Sequence, residues 1–161
     1  MPLPLPDDAS ASPGLAAEYA AAREREGSVM AILRAMGPRA EMVRGFLALA
    51  DAALYGPAAL GRRERELLAL ATSEANGAAY SARVHAALLH ELGDAGPRDE
   101  ALVAFARRLT LAPREAEEAV EALRAHLTDA EASDAVAVVG LLNFANRVAL
   151  ATGITSADDL P

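Results

Sequence analysis

Along residues 15–153 the chain is a succession of Ala-, Leu-, Glu- and Arg-rich stretches, and Gly or Pro stands at nearly every break between them. Ala and Leu propagate helices, whereas Gly and Pro end them, so this punctuation predicts a string of helices with short connections. The first spans residues 15–26 and stops at Gly27. A short second one is expected to start from Ser28 as its cap and to run to Met36, where Gly37-Pro38 breaks it. Residues 39–54 carry Met42, Phe46, Leu49 and Ala50 at helical spacing and end at Tyr55-Gly56-Pro57. Residues 62–74 and 78–92 flank an Asn76-Gly77 turn signal, and Gly93 closes the second of them. Pro97 and Pro113 each read as a first-turn proline, opening helices over 97–109 and 113–124. Thr128 to Glu131 spells T-D-A-E, a capping box that launches a last helix over 130–151, stopped by Gly153. No stretch reads as a strand, and no repeat or linker marks a second domain. The expectation is one all-α domain over residues 1–161, a helical bundle with a central hairpin and residues 1–13 as an extended, Pro-rich arm.

Composition narrows the function. Hydrophobic residues make up 53% of the chain and aromatics only 4%, so the core must be built from Ala, Leu and Val. The net charge is -8, which argues against a nucleic-acid partner. All 15 basic residues are Arg. There is no cysteine, which removes disulfides, thiolate nucleophiles and thiolate metal ligands. Residues 1–12 have neither a basic nor an apolar region of signal-peptide type. The longest uncharged apolar stretch, 135–146, is short for a bilayer span. The expectation is a cytoplasmic protein without a membrane partner.

Residues 65–85 read RELLALATSEANGAAYSARVH. This segment resembles the active-site stretch of the AhpD-like and carboxymuconolactone decarboxylase superfamily. There an R-E-L sequence and a small-residue helix precede N-x-C-x-x-C-x-x-x-H, with the glutamate twelve residues before the first cysteine. Glu66 stands twelve residues before Ala78. Ala78 and Ser81 occupy the two cysteine positions, His85 the histidine position, and Tyr80 a slot often aromatic in the family. Residues 101–110 (ALVAFARRLT) and the LLNFANRVALATG ending at Gly153 resemble the second half of the peroxidase-related branch. His126 departs from it, standing where a glycine is expected at a helix end and where a positive φ would be called for.

The resemblance implies a peroxidase in which the histidine and glutamate relay protons for a redox dithiol. Neither Ala78 nor Ser81 can take that part, since thiol–disulfide chemistry needs sulfur. It also implies self-association, as a homodimer or homohexamer. The candidate catalytic residues are therefore Glu66, His85, Ser81 and Tyr80. No cofactor is called for. A metal site is not expected either: the chain has three histidines, and His90 lies about 140° around the helix from His85 at 100° per residue.

Residues 78, 81 and 85 share one helix face, which continues through Leu88, Leu89 and Leu92 and should point inward. An antiparallel hairpin would bring Glu66 level with His85. Asn143, Asn146 and Arg147 interrupt an apolar helix and predict an internal polar network or an Arg–carboxylate pair. Three functions remain open at this point. One is a divergent, dithiol-free peroxidase homologue with a small-molecule pocket. Another is a cofactor-independent acid–base enzyme of the lactone decarboxylase type using Glu66 and His85. The third is a non-catalytic oligomeric protein.

Overall fold

A computed structural model describes residues 5–155. Eight α-helices run through them: α1 (Pro13–Glu26), α2 (Ala31–Ala35), α3 (Ala40–Ala50), α4 (Arg62–Ala75), α5 (Ala79–Glu91), α6 (Asp99–Leu111), α7 (Ala116–Arg124) and α8 (Asp129–Thr152). No strand occurs among the described residues.

Helix α4 is the hub. It packs against α5, α6 and α8, and its buried residues include Leu67, Leu68, Ala69 and Ala71. Being enclosed on nearly all sides, it carries polar groups inward as well, and these need internal partners. Two apolar clusters lie on either side of the site region. One joins α4, α6, α7 and α8 through Leu68, Leu102, Phe105, Leu123, Val138 and Val139. The other joins α1, α2 and α3 to the C-terminal part of α8 through Leu15, Tyr19, Leu33, Val43, Ala145 and Ala149, and it takes in Tyr80 of α5. Phe46 packs on both.

The expected helices are all present, but several ends differ. Ser28 does not cap α2; the cap position is Met30, without a side-chain bond. The helix expected over 39–54 changes pitch after Ala50, where Asp51–Tyr55 form one π-helical turn closed by the Gly56 amide on the Asp51 carbonyl, 2.6 Å. Pro97 lies two residues before α6 rather than in its first turn. Pro113 opens a 3-10 turn, Pro113–Glu115, that leads into α7. The arm assigned to residues 1–13 is not extended throughout: residues 8–10 form a turn, Asp7 and Ser10 bond each other, and α1 begins at Pro13, capped by Ser12. Residues 1–4 lie outside the described part. No non-glycine residue among those described has a positive φ, so His126 does not take the glycine-like conformation; its amide closes an ordinary turn on the Leu123 carbonyl, 2.9 Å.

Helix α8 begins as expected. Thr128 accepts from the Glu131 amide at 3.3 Å, and Glu131 accepts from the Thr128 amide at 2.8 Å. It ends in a left-handed Gly153, φ 72°. Its 24 residues make it long and apolar enough to cross a bilayer, which the uncharged stretch 135–146 did not suggest. Half of that apolar window is buried against the other helices, the pattern of a central core helix. Asp134, on this helix, accepts from the amides of Ala59 (2.7 Å) and Leu60 (2.9 Å) and so pins the connection before α4.

Candidate active site

Glu66 and His85 stand on consecutive antiparallel helices across the Asn76–Ala78 connection, and the register predicted from the sequence brings them together. Glu66 is fully buried, and its Oε2 lies 2.7 Å from His85 Nδ1. Its other oxygen, Oε1, accepts from Arg62 Nε at 3.0 Å and from Arg62 Nη2 at 2.5 Å. Burial pushes the Glu66 carboxyl upward, but the hydrogen bonds from His85 and Arg62 and the positive charge of Arg62 outweigh it and hold the group below its ordinary value. Glu66 is therefore ionised at neutral pH and can only accept. It follows that His85 Nδ1 carries the proton in this bond, which leaves Nε2 as the second ring nitrogen.

His85 and Ser81 line a cavity of about 60 Å³. Tyr80 and Val84 of α5, Phe46 and Leu47 of α3, Leu54 and Tyr55 of the π-turn, and Leu141, Leu142 and Ala145 of α8 contribute to its wall. The space lies where the two apolar clusters meet. Glu66 itself does not line it; the carboxylate stands behind the imidazole. His85, Ser81 and Tyr80 are each at least 94% covered, with exposures of 6%, 5% and 5%.

Ala78 is buried at the N-cap of α5, one position before the helix proper, and it is absent from the cavity wall. The inward face predicted for α5 holds only in its first half. Leu88 and Leu89 are half-buried, with Leu89 still packed on the apolar core, and Leu92 is 40% exposed, because the helix leaves the core past Leu89. His90 and His126 are exposed, and no group of three metal-ligating side chains occurs among the described residues.

Two arginines not singled out in the sequence shape the site. Arg62 completes the Glu66 partnership, and its guanidinium lies 4.6 Å from the centre of the Tyr55 ring. Its i, i+4 spacing to Glu66 was the available signal. Arg65 is buried and gives Nη1 to the carbonyls of Gly56 (3.0 Å) and Ala53 (3.4 Å), which holds the π-turn that carries Tyr55. The polar network expected on α8 is present. Asn143 donates to Thr110 Oγ1 at 3.1 Å and to the Val139 carbonyl at 3.0 Å. It accepts from Asn76 at 3.1 Å and Arg147 at 2.7 Å. Asn146 accepts from Ser73 at 3.3 Å. Arg147 thus bonds Asn143 rather than a carboxylate.

The sequence profile of the carboxymuconolactone decarboxylase family matches residues 40–125, more than half the chain. The chain belongs to that family. Among solved structures, this family member resembles a peroxidase-related protein from Ralstonia eutropha JMP134, described as an alkylhydroperoxidase AhpD core. The TM-score is 0.80 at 27% identity, over 95% of this chain and 90% of that one. A peroxidase-related protein from Silicibacter sp. TM1040 gives a TM-score of 0.71 at 25% identity, over 95% and 86% of the two chains. The debrominase Bmp8, at 18% identity with a TM-score of 0.69 over 96% and 89%, shares the fold. No curated protein matches significantly. The AhpD-like helical fold and the family assignment read from residues 65–85 both stand, with Ala78 and Ser81 at the positions of the motif cysteines.

Proposed function

We propose that this family member is a dithiol-free, divergent relative of the AhpD-like peroxidases that binds a small molecule in the cavity over His85. The carrying observation is that the cavity wall contains His85, held by a buried, ionised Glu66, while neither motif position holds sulfur. A carboxylate fully removed from water is costly unless paired, and a purely structural core would be served as well by an apolar residue there. Thiol turnover is absent in this reading. The test is peroxide consumption with a dithiol reductant. Turnover at the no-protein level is expected, and turnover abolished by His85→Ala or Glu66→Ala overturns the proposal.

The Nδ1–carboxylate bond favours a second reading, cofactor-independent acid–base chemistry of the lactone decarboxylase type. A carboxylate on Nδ1 orients the imidazole and stabilises the imidazolium that forms when Nε2 takes a proton from a bound compound. Ser81 and Tyr80 would then flank the reacting group. Loss of proton exchange at a bound carbonyl compound in His85→Gln would support it.

Self-association belongs to the same proposal. Leu49, Tyr55, Phe144 and Leu150 are large apolar residues with 41–52% exposure on α3, the π-turn and α8, which supports contact with a second copy. Light scattering at micromolar concentration is expected to give a dimer or hexamer, and a monomer counts against it.

A further inference from the structure

Of the residues that line the cavity over His85, Tyr55 is the most exposed, at 42%. Its ring stands between solvent and the interior. Tyr55 is also the last residue of the π-turn, and α4 grips that turn twice. Arg65 donates Nη1 to the carbonyls of Ala53 (3.4 Å) and Gly56 (3.0 Å), which fixes the backbone on both sides of Tyr55. Arg62 lays its guanidinium over the Tyr55 ring, 4.6 Å from its centre.

The same guanidinium has a second task. Nε and Nη2 of Arg62 converge on Glu66 Oε1 at 3.0 and 2.5 Å, while the other oxygen of that carboxylate holds His85 Nδ1 at 2.7 Å. A path of contacts thus leaves the cavity at Tyr55, passes through Arg62 and Glu66, and returns to the cavity at His85. Helical spacing makes this possible: Arg62 and Glu66 are one turn apart on α4, and His85 meets Glu66 from α5.

Donors on one carboxylate compete. Negative charge that Arg62 draws to Oε1 is not offered by Oε2 to His85. The arginine fork is planar and bidentate, so its hold on Oε1 depends on orientation, and an aromatic face against the guanidinium restricts that orientation. The argument is the same for a neutral and a charged imidazole, since Nδ1 bears a hydrogen against the carboxylate in both.

We propose that Arg62 is a positioning residue for His85 and that Tyr55 sets it: the ring at the cavity rim holds the Arg62 fork on Glu66, and loss of that contact tightens the bond from His85 to Glu66. Any movement of the ring, such as entry past the rim requires, is then felt at His85. The proposal rests on the small-molecule reading above for what enters, and adds the device by which the site responds.

The test is proton NMR of the His85 Nδ1–H and the Arg62 Nε–H on the full chain without ligand. His90 and His126 are exposed, so their ring protons exchange with water and leave the far-downfield region to His85. In Arg62→Gln the Nδ1–H resonance is expected to move downfield, the sign of a shorter bond to a carboxylate that has lost its other ionic partner. Tyr55→Leu is expected to move it the same way by less, and to speed exchange of the Arg62 Nε–H about two- to fivefold, the worth of one partly exposed cation–π contact. Added to Arg62→Gln, Tyr55→Leu should change nothing further. A folded Arg62→Gln protein whose Nδ1–H moves upfield or is lost to exchange overturns the proposal, because support of the core alone gives that result. So does a Tyr55→Leu shift of equal size in both backgrounds, which marks direct action of the ring on His85. If Arg62→Gln does not fold, Tyr55→Leu decides: unchanged Arg62 Nε–H exchange or an unmoved Nδ1–H overturns the proposal. Because no ligand is used, each of these failures leaves the small-molecule reading standing.

Discussion

Replacing Glu66 by Gln changes two atoms' chemistry at a position with no exposure and should cost stability out of proportion to that change. The carboxylate accepts from Arg62 at 3.0 and 2.5 Å and from His85 at 2.7 Å. An amide of the same shape keeps one acceptor for Arg62 and turns an NH2 towards His85 Nδ1, which must pass its proton to Nε2 to accept it, so both charge-assisted bonds are lost. Hydrogen bonds to a charged group are worth about 1.5–3 kcal/mol each. The Arg62 contribution is discounted because its side chain is 32% exposed and water can replace the lost partner. Removing a buried charge returns part of the desolvation cost. The net loss should be about 2–3 kcal/mol, which for a chain of this length lowers Tm by roughly 4–12 °C.

The measurement is thermal unfolding by far-ultraviolet circular dichroism at pH 7, repeated down to pH 3. Glu66 is held below its ordinary value of 4.5 in the folded chain, so its contribution is fully present above that pH and is lost as pH falls through the folded value. The gap between the two proteins should therefore close below about pH 4.5. A Tm within 1 °C of the unaltered protein at pH 7, or a gap that widens in acid, refutes the reasoning.

The hairpin and the pair were legible in the sequence for a simple reason. A stop at Asn76-Gly77 fixes where α4 ends and α5 begins, and counting residues at a constant rise then sets Glu66 level with His85. The capping box at Thr128 was legible because its signals are local. What was not legible depends on packing between distant parts of the chain. The π-turn after Ala50 is stabilised by Arg65, ten or more residues on, and nothing in the spacing of Met42, Phe46 and Leu49 announces it. Leu92 shares a helix face with His85, yet α5 runs out of the core before reaching it. Periodicity reports which residues share a face, and it is silent on how far a neighbouring helix extends to cover that face. Arg147 interrupted an apolar run and suggested a carboxylate partner, whereas Asn143, one turn away, supplies two oxygens.

Other consequences can be checked directly. Ala78→Cys combined with Ser81→Cys should introduce a dithiol able to cycle with peroxide, measured as reductant-dependent peroxide loss that the unaltered protein lacks; no gain in a folded double variant would show that the surroundings, and not only the sulfur, have diverged. Asp134→Ala should destabilise by about 1–3 kcal/mol, since the amides of Ala59 and Leu60 lose their acceptor beside a buried Leu60, and an unchanged urea midpoint would contradict that.

The central claim is that Glu66 fixes His85 with Nδ1 protonated and Nε2 offered to the cavity. Long-range proton–nitrogen correlation NMR on 15N-labelled protein, at a pH where the ring is neutral, reads this tautomer directly. The structure predicts a protonated, hydrogen-bonded Nδ1 and an unprotonated Nε2 for His85, with the pattern lost in Glu66→Gln. A proton on Nε2 with a bare Nδ1, or a pattern indifferent to the Glu66 change, would contradict it.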